Sequence, residues 1–386
     1  MNTPKLRFKE FNDEYKTYKF YDVAKLYRGS SPRPIVNFIT KSEDSVNWIK
    51  IGDVSPNETY INSTSEKITK EGAKKSRRVY KGEIILSNSM SFGRPYILNL
   101  DGCIHDGWFV VRDYEKLLNK KYLYHFMSSP LIQKQYKTLS AGGVVSNISS
   151  ELVYSVKLNI PSKEEQLKVA KFLSLLDKKI ELQTKKIEDL KLFKLYTKNQ
   201  IFNDYDKVFK LKDILVKWNK KNKNNSVKYV ESISNKYGFI SQSDQFEDRN
   251  VASKNLNNYY IIEKGVFGYN PSRLNVGSLA LKTNDKISVV SPLYECFTTS
   301  QNNQYLLEWF DSKYFRKETI SRFEGGVRNT LNFSNLCEIE IRLPIIEKQN
   351  KYSNIFRMFN NKIELEVKKL YKLQELKKGL MQNMFV

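Results

Sequence analysis

The sequence is poor in the side chains that most often hold metals or act as acid–base catalysts. It contains only two histidines, His105 and His125, and three scattered cysteines, Cys103, Cys296 and Cys337. No Cys-x-x-Cys pair is present, so the cysteines indicate neither a disulfide framework nor a zinc site. Metal-centred and histidine-based catalysis are therefore poor hypotheses for this chain, and we expect it to hold no metal.

Long apolar segments are missing as well. No run approaches the ~18 apolar residues of a membrane-spanning helix, and the first residues lack the apolar stretch of a signal peptide. We therefore expect a cytoplasmic protein. Hydrophobic residues make up 40% of the chain, which is enough to build folded cores and excludes an intrinsically disordered protein.

Positive charge is what the sequence has in excess. Lys and Arg number 65 against 42 Asp and Glu, which gives a formal net charge of +23. The excess is spread along the chain and is not confined to one tail. Nucleic acid is the usual partner of so basic a protein. The alternative is a generic solvated surface, which the Lys- and Asn-rich run at residues 220–225 partly supports.

The chain repeats itself with a constant offset, which takes position 122 to position 305. The matching pairs include Tyr-Leu at 122–123 and 305–306, Gly-Gly-Val at 142–144 and 325–327, and Lys-Ile-Glu-Leu at 179–182 and 362–365. No gap interrupts the match between these pairs, and a chance match of this length is implausible. The protein therefore consists of two copies of one unit.

Each copy has a variable front part and a better matched rear part. The front parts contain short apolar runs, such as residues 83–86 and 108–111, which are broken by Gly, Pro, Asn and Ser. This pattern predicts mixed α/β domains with many short strands. A helix should lie near the end of each, at residues 120–139 and 303–323. The sequence thus predicts an α+β protein of four segments, at 1–160, 161–203, 204–343 and 344–386.

The rear parts place apolar residues at alternating steps of four and three, which is the spacing of a coiled-coil seam. The seam positions of the first copy are Val169, Leu173, Leu176, Ile180, Gln183, Ile187, Leu190, Lys194, Thr197 and Ile201. Those of the second copy are Tyr352, Phe356, Phe359, Ile363, Glu366, Leu370, Leu373, Lys377, Leu380 and Met384. Two long helices with apolar stripes cannot stand alone in water, so we expect them to pair. In a pseudo-twofold tandem repeat, the pair forms an antiparallel coiled coil.

Polar residues occupy matching seam positions in the two copies. Gln183 corresponds to Glu366, and Lys194 corresponds to Lys377. These residues are either tolerated defects or a device that fixes the register of the helices at a cost in stability. Both interpretations stay open at the level of the sequence.

No catalytic motif is complete. The Asn-Pro-Ser-Arg segment at 270–273 lacks the second proline and the aromatic residue that an adenine methyltransferase needs, so we interpret it as a turn. A phosphate-binding loop of the Gly-x4-Gly-Lys-Ser/Thr type is absent too. We therefore expect a binding protein without catalysis of its own.

Several polar and basic segments are candidates for contact with DNA, where Lys and Arg hold phosphates and Arg or Asn reads base edges. The run at 74–78 packs four cations into five residues. The polar loops at 87–94 and 269–275 occupy like places in the two copies, and residues 325–329 contain the second double glycine. The alternative for each is an ordinary turn or solvated surface. The candidate residues are Lys74, Lys75, Arg77, Arg78, Asn88, Arg94, Asn270, Arg273 and Arg328.

Two variable domains that alternate with two matched helices resemble the specificity subunit of Type I restriction–modification systems. The resemblance is carried by Ile-Pro-Ser-Lys-Glu-Glu-Gln at 160–166 and Leu-Asp-Lys-Lys-Ile-Glu-Leu at 176–182, with their counterparts at 343–349 and 361–365, by the Gly-Gly-Val before each helix, and by residues 377–385. The second copy departs mildly from this pattern. Lys348 stands where Glu165 does, and Asn360 stands where Asp177 does, which could make two partner sites unequal.

The resemblance implies a function and a set of partners. Each front part would be a target recognition domain that reads one half of a bipartite site in double-stranded DNA. The helices would set the spacing and dock two methyltransferase subunits, which would hold S-adenosylmethionine. Restriction subunits would join them and hold ATP and Mg²⁺, so that no cofactor is expected in this chain. The alternatives are a stand-alone sequence-specific DNA-binding protein and a fused enzyme.

Overall fold

The chain divides into two units in the computed structural model. The model describes residues 3–54, 58–89, 93–140, 148–235, 237–242, 255–320, 322 and 330–386. Unit 1 comprises Met1–Lys185 and Val367–Val386, and unit 2 comprises Lys186–Glu366. The candidate Arg328 and the two double glycines lie outside the described residues. None of the described helices has an apolar stretch that could cross a lipid bilayer.

The front part of unit 1 is built from short strands and short helices. The strands are β1 (Lys16–Lys19), β2 (Lys25–Arg28), β3 (Ile39–Thr40), β4 (Val46–Ile49), β5 (Tyr60–Ile61), β6 (Glu66–Ile68), β7 (Arg77–Val79), β8 (Ile84–Ser87), β9 (Pro95–Leu98), β10 (Gly102–Ile104), β11 (Trp108–Arg112) and β12 (Lys157–Ile160). The helices are α1 (Phe20–Val23), α2 (Lys70–Lys74), α3 (Lys120–Ser128), α4 (Pro130–Ser140) and α5 (Ser150–Ser155).

Two five-stranded sheets and one strand pair organise this front part. The strand orders are β2-β11-β8-β9-β5, β3-β6-β4-β10-β7 and β1-β12. Strands β8 and β9 are buried along their whole length, as their continuous apolar sequences require. Trp108 and Tyr96 meet edge to face in the core, with ring centroids 5.6 Å apart. Strand β10 is buried as well, whereas β1, β2 and β7 each carry a charged residue at the surface.

A long helix, α6 (Lys163–Ile201), leads from unit 1 into unit 2. The strands of unit 2 are β13 (Lys207–Lys210), β14 (Leu215–Lys217), β15 (Glu231–Ser234), β16 (Gly238–Ser241), β17 (Tyr260–Ile262), β18 (Phe267–Tyr269), β19 (Leu279–Leu281), β20 (Ser288–Val290), β21 (Glu295–Thr299) and β22 (Glu340–Leu343). Its short helices are α7 (Asn303–Phe310), α8 (Lys313–Ile320) and α9 (Phe333–Cys337), and a second long helix, α10 (Ile346–Met384), follows.

The sheets of unit 2 are smaller than those of unit 1. A four-stranded sheet has the order β14-β21-β18-β19, and the pairs β13-β22, β15-β16 and β17-β20 accompany it. The main core of this unit is aromatic, since Phe267 and Phe297 stack with their ring centroids 5.1 Å apart and Phe310 lies edge-on to both. The two front parts therefore differ in sheet structure, as their unmatched sequences indicated.

The predicted helix near the end of each front part is two helices instead of one. In unit 1, α3 ends at Ser128 and α4 begins at Pro130. The break follows from Pro130, because the residue before a proline avoids the α conformation, and Ser129 is extended with φ −68° and ψ 147°. In unit 2, the Ser312 side chain accepts a hydrogen bond from the backbone N–H of Phe315 at 3.3 Å and starts α8 separately.

The repeat that the sequence predicts is present in the structure at the level of whole elements. Residues 157–160 form β12 and residues 340–343 form β22, while α6 and α10 are both 39 residues long. The same constant offset separates the first residues of α3, α4 and α5 from those of α7, α8 and α9, and the first residue of β8 from that of β18. The tandem repeat is therefore confirmed, and it includes the rear half of each front part.

The two long helices pair in antiparallel directions within each unit. In unit 1, Asp177 of α6 lies beside Lys377 of α10, with Oδ1 and Nζ 2.5 Å apart. In unit 2, Phe193 and Phe359 meet with ring centroids 5.5 Å apart. None of the twenty seam positions named above is exposed. The structure thus confirms the antiparallel coiled coil, and each unit contains one part of each helix.

Glu366, Lys377 and Lys194, three of the polar seam residues, have charged partners. Glu366 is fully buried, and its Oε1 lies 3.1 Å from the Nζ of Lys186 and 3.4 Å from that of Lys362. Lys377 is held by Asp177 in unit 1. The buried His125 lies next to this pair, with its Nδ1 3.7 Å from the Asp177 Oδ2. Burial, helped by the charge of Lys377, lowers the pKa of His125 to about 3, so this imidazole is neutral at physiological pH.

Unit 2 repeats this arrangement with the acid in another place. Lys194 Nζ lies 2.8 Å from the Oδ1 of Asn360 and 2.9 Å from the Oε1 of Glu308. Asn360 is the counterpart of Asp177, and Glu308 is the counterpart of His125. Each lysine therefore keeps one carboxylate partner, although the acid sits on the long helix in unit 1 and on α7 in unit 2.

Near the start of each long helix, the two copies carry opposite charges at equivalent positions. Buried Glu165 accepts two hydrogen bonds from the guanidinium of Arg7, at 2.9 and 2.8 Å, and one from the Tyr15 hydroxyl at 2.8 Å. Its counterpart Lys348 forms an ion pair with Asp204 at 3.0 Å. The departure of Lys348 from the first copy is therefore compensated by Asp204, in the segment of unit 2 that follows α6.

A proline and, five residues later, a glutamine recur at the start of each long helix, and the contacts of Gln166 explain why. Its side chain is buried, and its Oε1 accepts a hydrogen bond from the backbone N–H of Asn119 at 2.8 Å. Its Nε2 donates to the backbone oxygens of Leu117 at 3.0 Å and Pro161 at 3.1 Å. Asn119 in turn caps α3 through its own side chain. One amide thus joins the start of α6 to the start of α3.

Gln349 does the same in unit 2. Its Oε1 accepts from the backbone N–H of Asn302, the cap of α7, at 3.1 Å. Its Nε2 donates to the Oε1 of Gln301 and to the backbone oxygen of Pro344, both at 2.8 Å. The recurrence of this residue is therefore structural.

Replacing Gln166 with Ala should lower the free energy of unfolding of unit 1 by about 2–4 kcal/mol, because a partly buried N–H, a partly buried C=O and a buried C=O lose their partner. The loss should appear as a lower urea midpoint at an unchanged slope. Gln200→Ala is the matched control on an exposed position of α6 and should change the midpoint little. Equal midpoints for the two variants would contradict the structural role of Gln166.

Candidate nucleic-acid interface

The basic run at 74–78 spans the end of α2 and the beginning of β7. Lys74, Lys75 and Arg78 are exposed, and Arg77 is half-buried. Strand β7 is an outer strand of its sheet, with β10 as its neighbour. The side chain of Thr69 caps α2 by accepting from the backbone N–H of Gly72 at 3.1 Å. The four predicted cations therefore stand on a rigid, hydrogen-bonded edge of unit 1.

Two arginines from a distant part of the sequence join these cations. Arg77 donates from Nε to the backbone oxygen of Arg28 at 3.2 Å, and Arg28 donates from Nε to the backbone oxygen of Asp106 at 3.2 Å. Arg33 is 83% exposed and lies 3.7 Å from the Asp106 carboxylate. We call this region the arginine surface. It consists of Arg28, Arg33, Lys74, Lys75, Arg77 and Arg78.

The sequence analysis missed Arg28 and Arg33 because they stand alone in the chain. The segment between them is Gly-Ser-Ser-Pro at 29–32. Ser76 donates from its hydroxyl to the backbone oxygen of Ser30 at 2.6 Å, which draws this segment onto the basic run. The small residues and the proline that follow β2 were the available signal of a turn, but their position beside β7 depends on the sheet pairing.

Asn88 lies behind the arginine surface and has a structural role there. Its side chain is buried, and its Nδ2 donates to the backbone oxygen of Asp106 at 2.9 Å. Its backbone N–H donates to the oxygen of Gly107 and its backbone oxygen accepts from the N–H of Ile148. The Asn88 amide is thus used to hold the turn at 105–107, and the contact of Asn88 with DNA stays a prediction.

The loops between β8 and β9 and between β18 and β19 carry one candidate arginine each. Arg94 is half-buried, with its guanidinium carbon 5.9 Å from the centroid of the Tyr96 ring. Arg273 is exposed in the turn Pro271–Val276. Asn270 caps that turn, since its Oδ1 accepts from the backbone N–H of Ser272 at 3.0 Å. The oxygen of Asn270 is thus already engaged, whereas the side chain of Arg273 is exposed.

Unit 2 also has basic side chains over aromatic rings. Lys221 Nζ lies 3.7 Å from the centroid of Tyr260, and Lys286 Nζ lies 3.3 Å from the centroid of Tyr229. Such contacts favour a cation over the negative face of a ring. Lys221 belongs to the Lys- and Asn-rich run at 220–225. The tyrosines hold two of the lysines of unit 2 in place.

The predicted coiled-coil and partner residues lie in the seam, so a partner cannot reach most of their surface. The outward faces of α6 and α10 carry other apolar residues, each more than half exposed. Three pairs of these occupy matching positions in the two copies of the repeat. We call them the paired apolar face, which consists of Leu175 and Met358, Leu182 and Leu365, and Phe193 and Leu376.

Known proteins resemble this chain in sequence and in fold. Residues 12–192, which include nearly all of the front part of unit 1 and most of α6, match the family model of the Type I restriction modification DNA specificity domain. Through these residues the chain is similar to the Type I specificity family.

Two relatives of this family come from Methanocaldococcus jannaschii. The Type I restriction enzyme MjaVIII specificity subunit is 23% identical over 295 residues, which are 67% of this chain and 68% of the relative. The MjaIX specificity subunit is 24% identical over 196 residues, or 50% of this chain and 45% of the relative. Both relatives are specificity subunits by name.

Two solved structures have the same fold. The S subunit of a Type I restriction–modification system from M. genitalium covers 100% of this chain, and 99% of its own length is matched, with a TM-score of 0.60 at 15% identity. A chain from a structural study of complex assembly and conformational transition in the type I R-M system covers 95%, with 96% of its own length matched, at a TM-score of 0.58 and 14% identity. At these identities the likeness is one of fold.

Replacing Arg94 or Arg273 with Ala should weaken binding to a cognate duplex by about 1–3 kcal/mol and binding to a random duplex much less, if the arginine holds a guanine. Both affinities are to be measured at one fixed salt concentration, because phosphate contacts depend on salt. Arg357→Ala, on an exposed position of α10, is the control for loss of one charge. Equal losses on both duplexes would make Arg94 and Arg273 phosphate contacts.

Proposed function

We propose that this chain is the DNA-reading subunit of a Type I restriction–modification complex. Unit 1 would read one half of a bipartite site and unit 2 the other half, and the long helices would fix the number of unread base pairs between them. The observation that carries the proposal is the repeat itself. The helices and strands at the rear of the two units match, while the front parts and the loop residues differ. Two domains that read different half-sites require such a difference.

Catalysis would be left to other subunits. The relatives named above are specificity subunits by name, and the chain has neither a complete methyltransferase motif nor a phosphate-binding loop. We propose that methyltransferase subunits supply S-adenosylmethionine and that restriction subunits supply ATP and Mg²⁺. In this arrangement, the chain supplies the choice of sequence and a surface on which the catalytic subunits assemble.

The paired apolar face is the best candidate for that surface. Exposed Leu, Met and Phe side chains on a helix are costly in water, since each fully buried aliphatic side chain gains about 1.5–3 kcal/mol. Leu175 and Leu182 are seven residues apart on α6, and Met358 and Leu365 have the same spacing on α10. Each pair therefore lies on one side of its helix, away from the seam. The repeat thus presents the same apolar stripe twice, once on each long helix, and two identical methyltransferase subunits could each bind one of them.

Inactivating this gene in its host should remove one bipartite methylated motif with a constant unread gap, and restoring the gene should bring the motif back. Genome-wide mapping of methylated bases reads this directly. An unchanged methylation pattern in a host that has the partner methyltransferase would contradict the proposed function. It would favour the stand-alone DNA-binding protein instead.

Replacing Leu182 with Glu should remove one of two bound methyltransferase subunits, and the further change Leu365→Glu should remove the second. The mass of the co-purified complex, measured by light scattering, counts the bound subunits. The melting temperature of the chain alone should change little, because both side chains are exposed. The matched controls are Leu182→Met and Leu365→Met, which keep the apolar surface. Full complexes with the Glu variants would show that the partner binds elsewhere.

A further inference from the structure

We propose that Asp106 is a specificity-determining residue of unit 1. Its carboxylate would accept a hydrogen bond from the exocyclic amino group of a base, cytosine N4 or adenine N6, in the major groove. The inference rests on the proposed function in one respect, namely that unit 1 reads DNA. It adds which side chain reads and which chemical group on the base is read.

The turn that carries Asp106 is held from several sides. Its backbone oxygen accepts from the Asn88 Nδ2 at 2.9 Å and from the Arg28 Nε at 3.2 Å. Its Oδ1 accepts from the hydroxyl of Ser31 at 2.8 Å. Gly29 packs directly on this turn, because a Cβ at Gly29 would stand 2.1 Å from the backbone oxygen of His105. The carboxylate is therefore fixed in position before any ligand arrives.

The carboxylate nevertheless remains accessible. The Asp106 side chain is 34% exposed. Its Oδ2 faces the exposed Arg33 at 3.7 Å, a distance too long for a hydrogen bond. Because Arg33 is 83% exposed, it can turn toward a phosphate and free the oxygen. Oδ1 is occupied, because the Ser31 hydroxyl and the His105 Nε2 lie 2.8 and 2.9 Å from it. An ionised carboxylate has about four acceptor positions, so Oδ2 is the oxygen that is left for a base amine.

Asp106 is an acid inside the arginine surface. Burial alone would raise its pKa, but the hydrogen bond from Ser31 and the charges of His105 and Arg33 bring it below the ordinary value. The group is therefore an anion at neutral pH, and an anion among phosphates weakens binding to DNA of any sequence. Such a charge can improve recognition only by discriminating between bases.

A carboxylate discriminates strongly in the major groove. It accepts from the N4 amine of cytosine or the N6 amine of adenine, and it is repelled by the O6 and N7 of guanine and the O4 of thymine. The arginines around it have the opposite preference, since they donate to guanine and to phosphate. The Asp106 carboxylate can thus accept from a base amine while the arginines around it bind the neighbouring phosphates.

The test uses the chain in complex with its methyltransferase, in cells whose methylated bases are mapped. Asp106→Asn keeps an oxygen for Ser31 and so keeps the turn, but it is no longer a pure acceptor. It should relax or change one base position in one half-site, and the other half-site and the gap should stay constant. Asp44→Asn, which removes another surface acid of unit 1, should leave the motif unchanged. An unchanged motif in Asp106→Asn would overturn the inference while leaving the proposed function intact.

A second measurement changes the DNA, so its result for the wild-type complex does not depend on how the variant folds. The wild-type complex is given duplexes of its own site in which each cytosine or adenine of the half-site is replaced in turn by 2-pyrimidinone or purine, which lack the exocyclic amine. One replacement should weaken binding roughly tenfold or more, within the range of one specific base contact. The Asp106→Asn complex should not respond to that replacement. A wild-type complex that tolerates every replacement would overturn the inference, whereas the absence of any bipartite motif would contradict the proposed function itself.

Discussion

The burial of two apolar stripes against each other is the constraint on which the rest of this structure depends. Helices α6 and α10 each have 39 residues and one seam, and neither could expose that seam to water. Pairing them antiparallel brings the first part of α6 to the last part of α10 and the reverse. Each unit then contains a part of both helices, so that unit 1 is built from two separate segments of the chain.

The two copies show how a repeated structure can accept different charges at equivalent positions. Glu165 and Lys348 occupy the same place and bind Arg7 and Asp204, respectively. A front part grafted from another protein would therefore have to bring a cation with it at the position of Arg7. Leaving Glu165 buried without its partner would cost about 3–5 kcal/mol. The segments that precede the front parts therefore contribute contacts to the long helices as well as to the domains that follow them.

The sequence predicted those features that depend on periodicity and failed at those that depend on long-range pairing. The seam could be found because its residues recur every three or four positions, and none of them lies exposed. Arg28 and Arg33 could not, since only the sheet brings them to Arg77. Asn88 is of a residue type that often reads bases, but its side chain points inward because it donates to the backbone of the turn at 105–107. The recurrence of Gln166 and Gln349 was visible, but their partners were not.

The core of unit 1 includes Met381, Met384 and Phe385, and Phe385 lies edge-on to Tyr122 and Phe126 with ring centroids 5.5 Å away from each. These residues are synthesised about 200 positions after Lys185. At about 5–20 residues per second, the ribosome needs roughly 10–40 s to cover that distance. Through this time, the front part of unit 1 has an open apolar groove that its own chain has not yet filled. Unit 2 is continuous from Lys186 to Glu366, so the second domain to be translated is the first that can be completed.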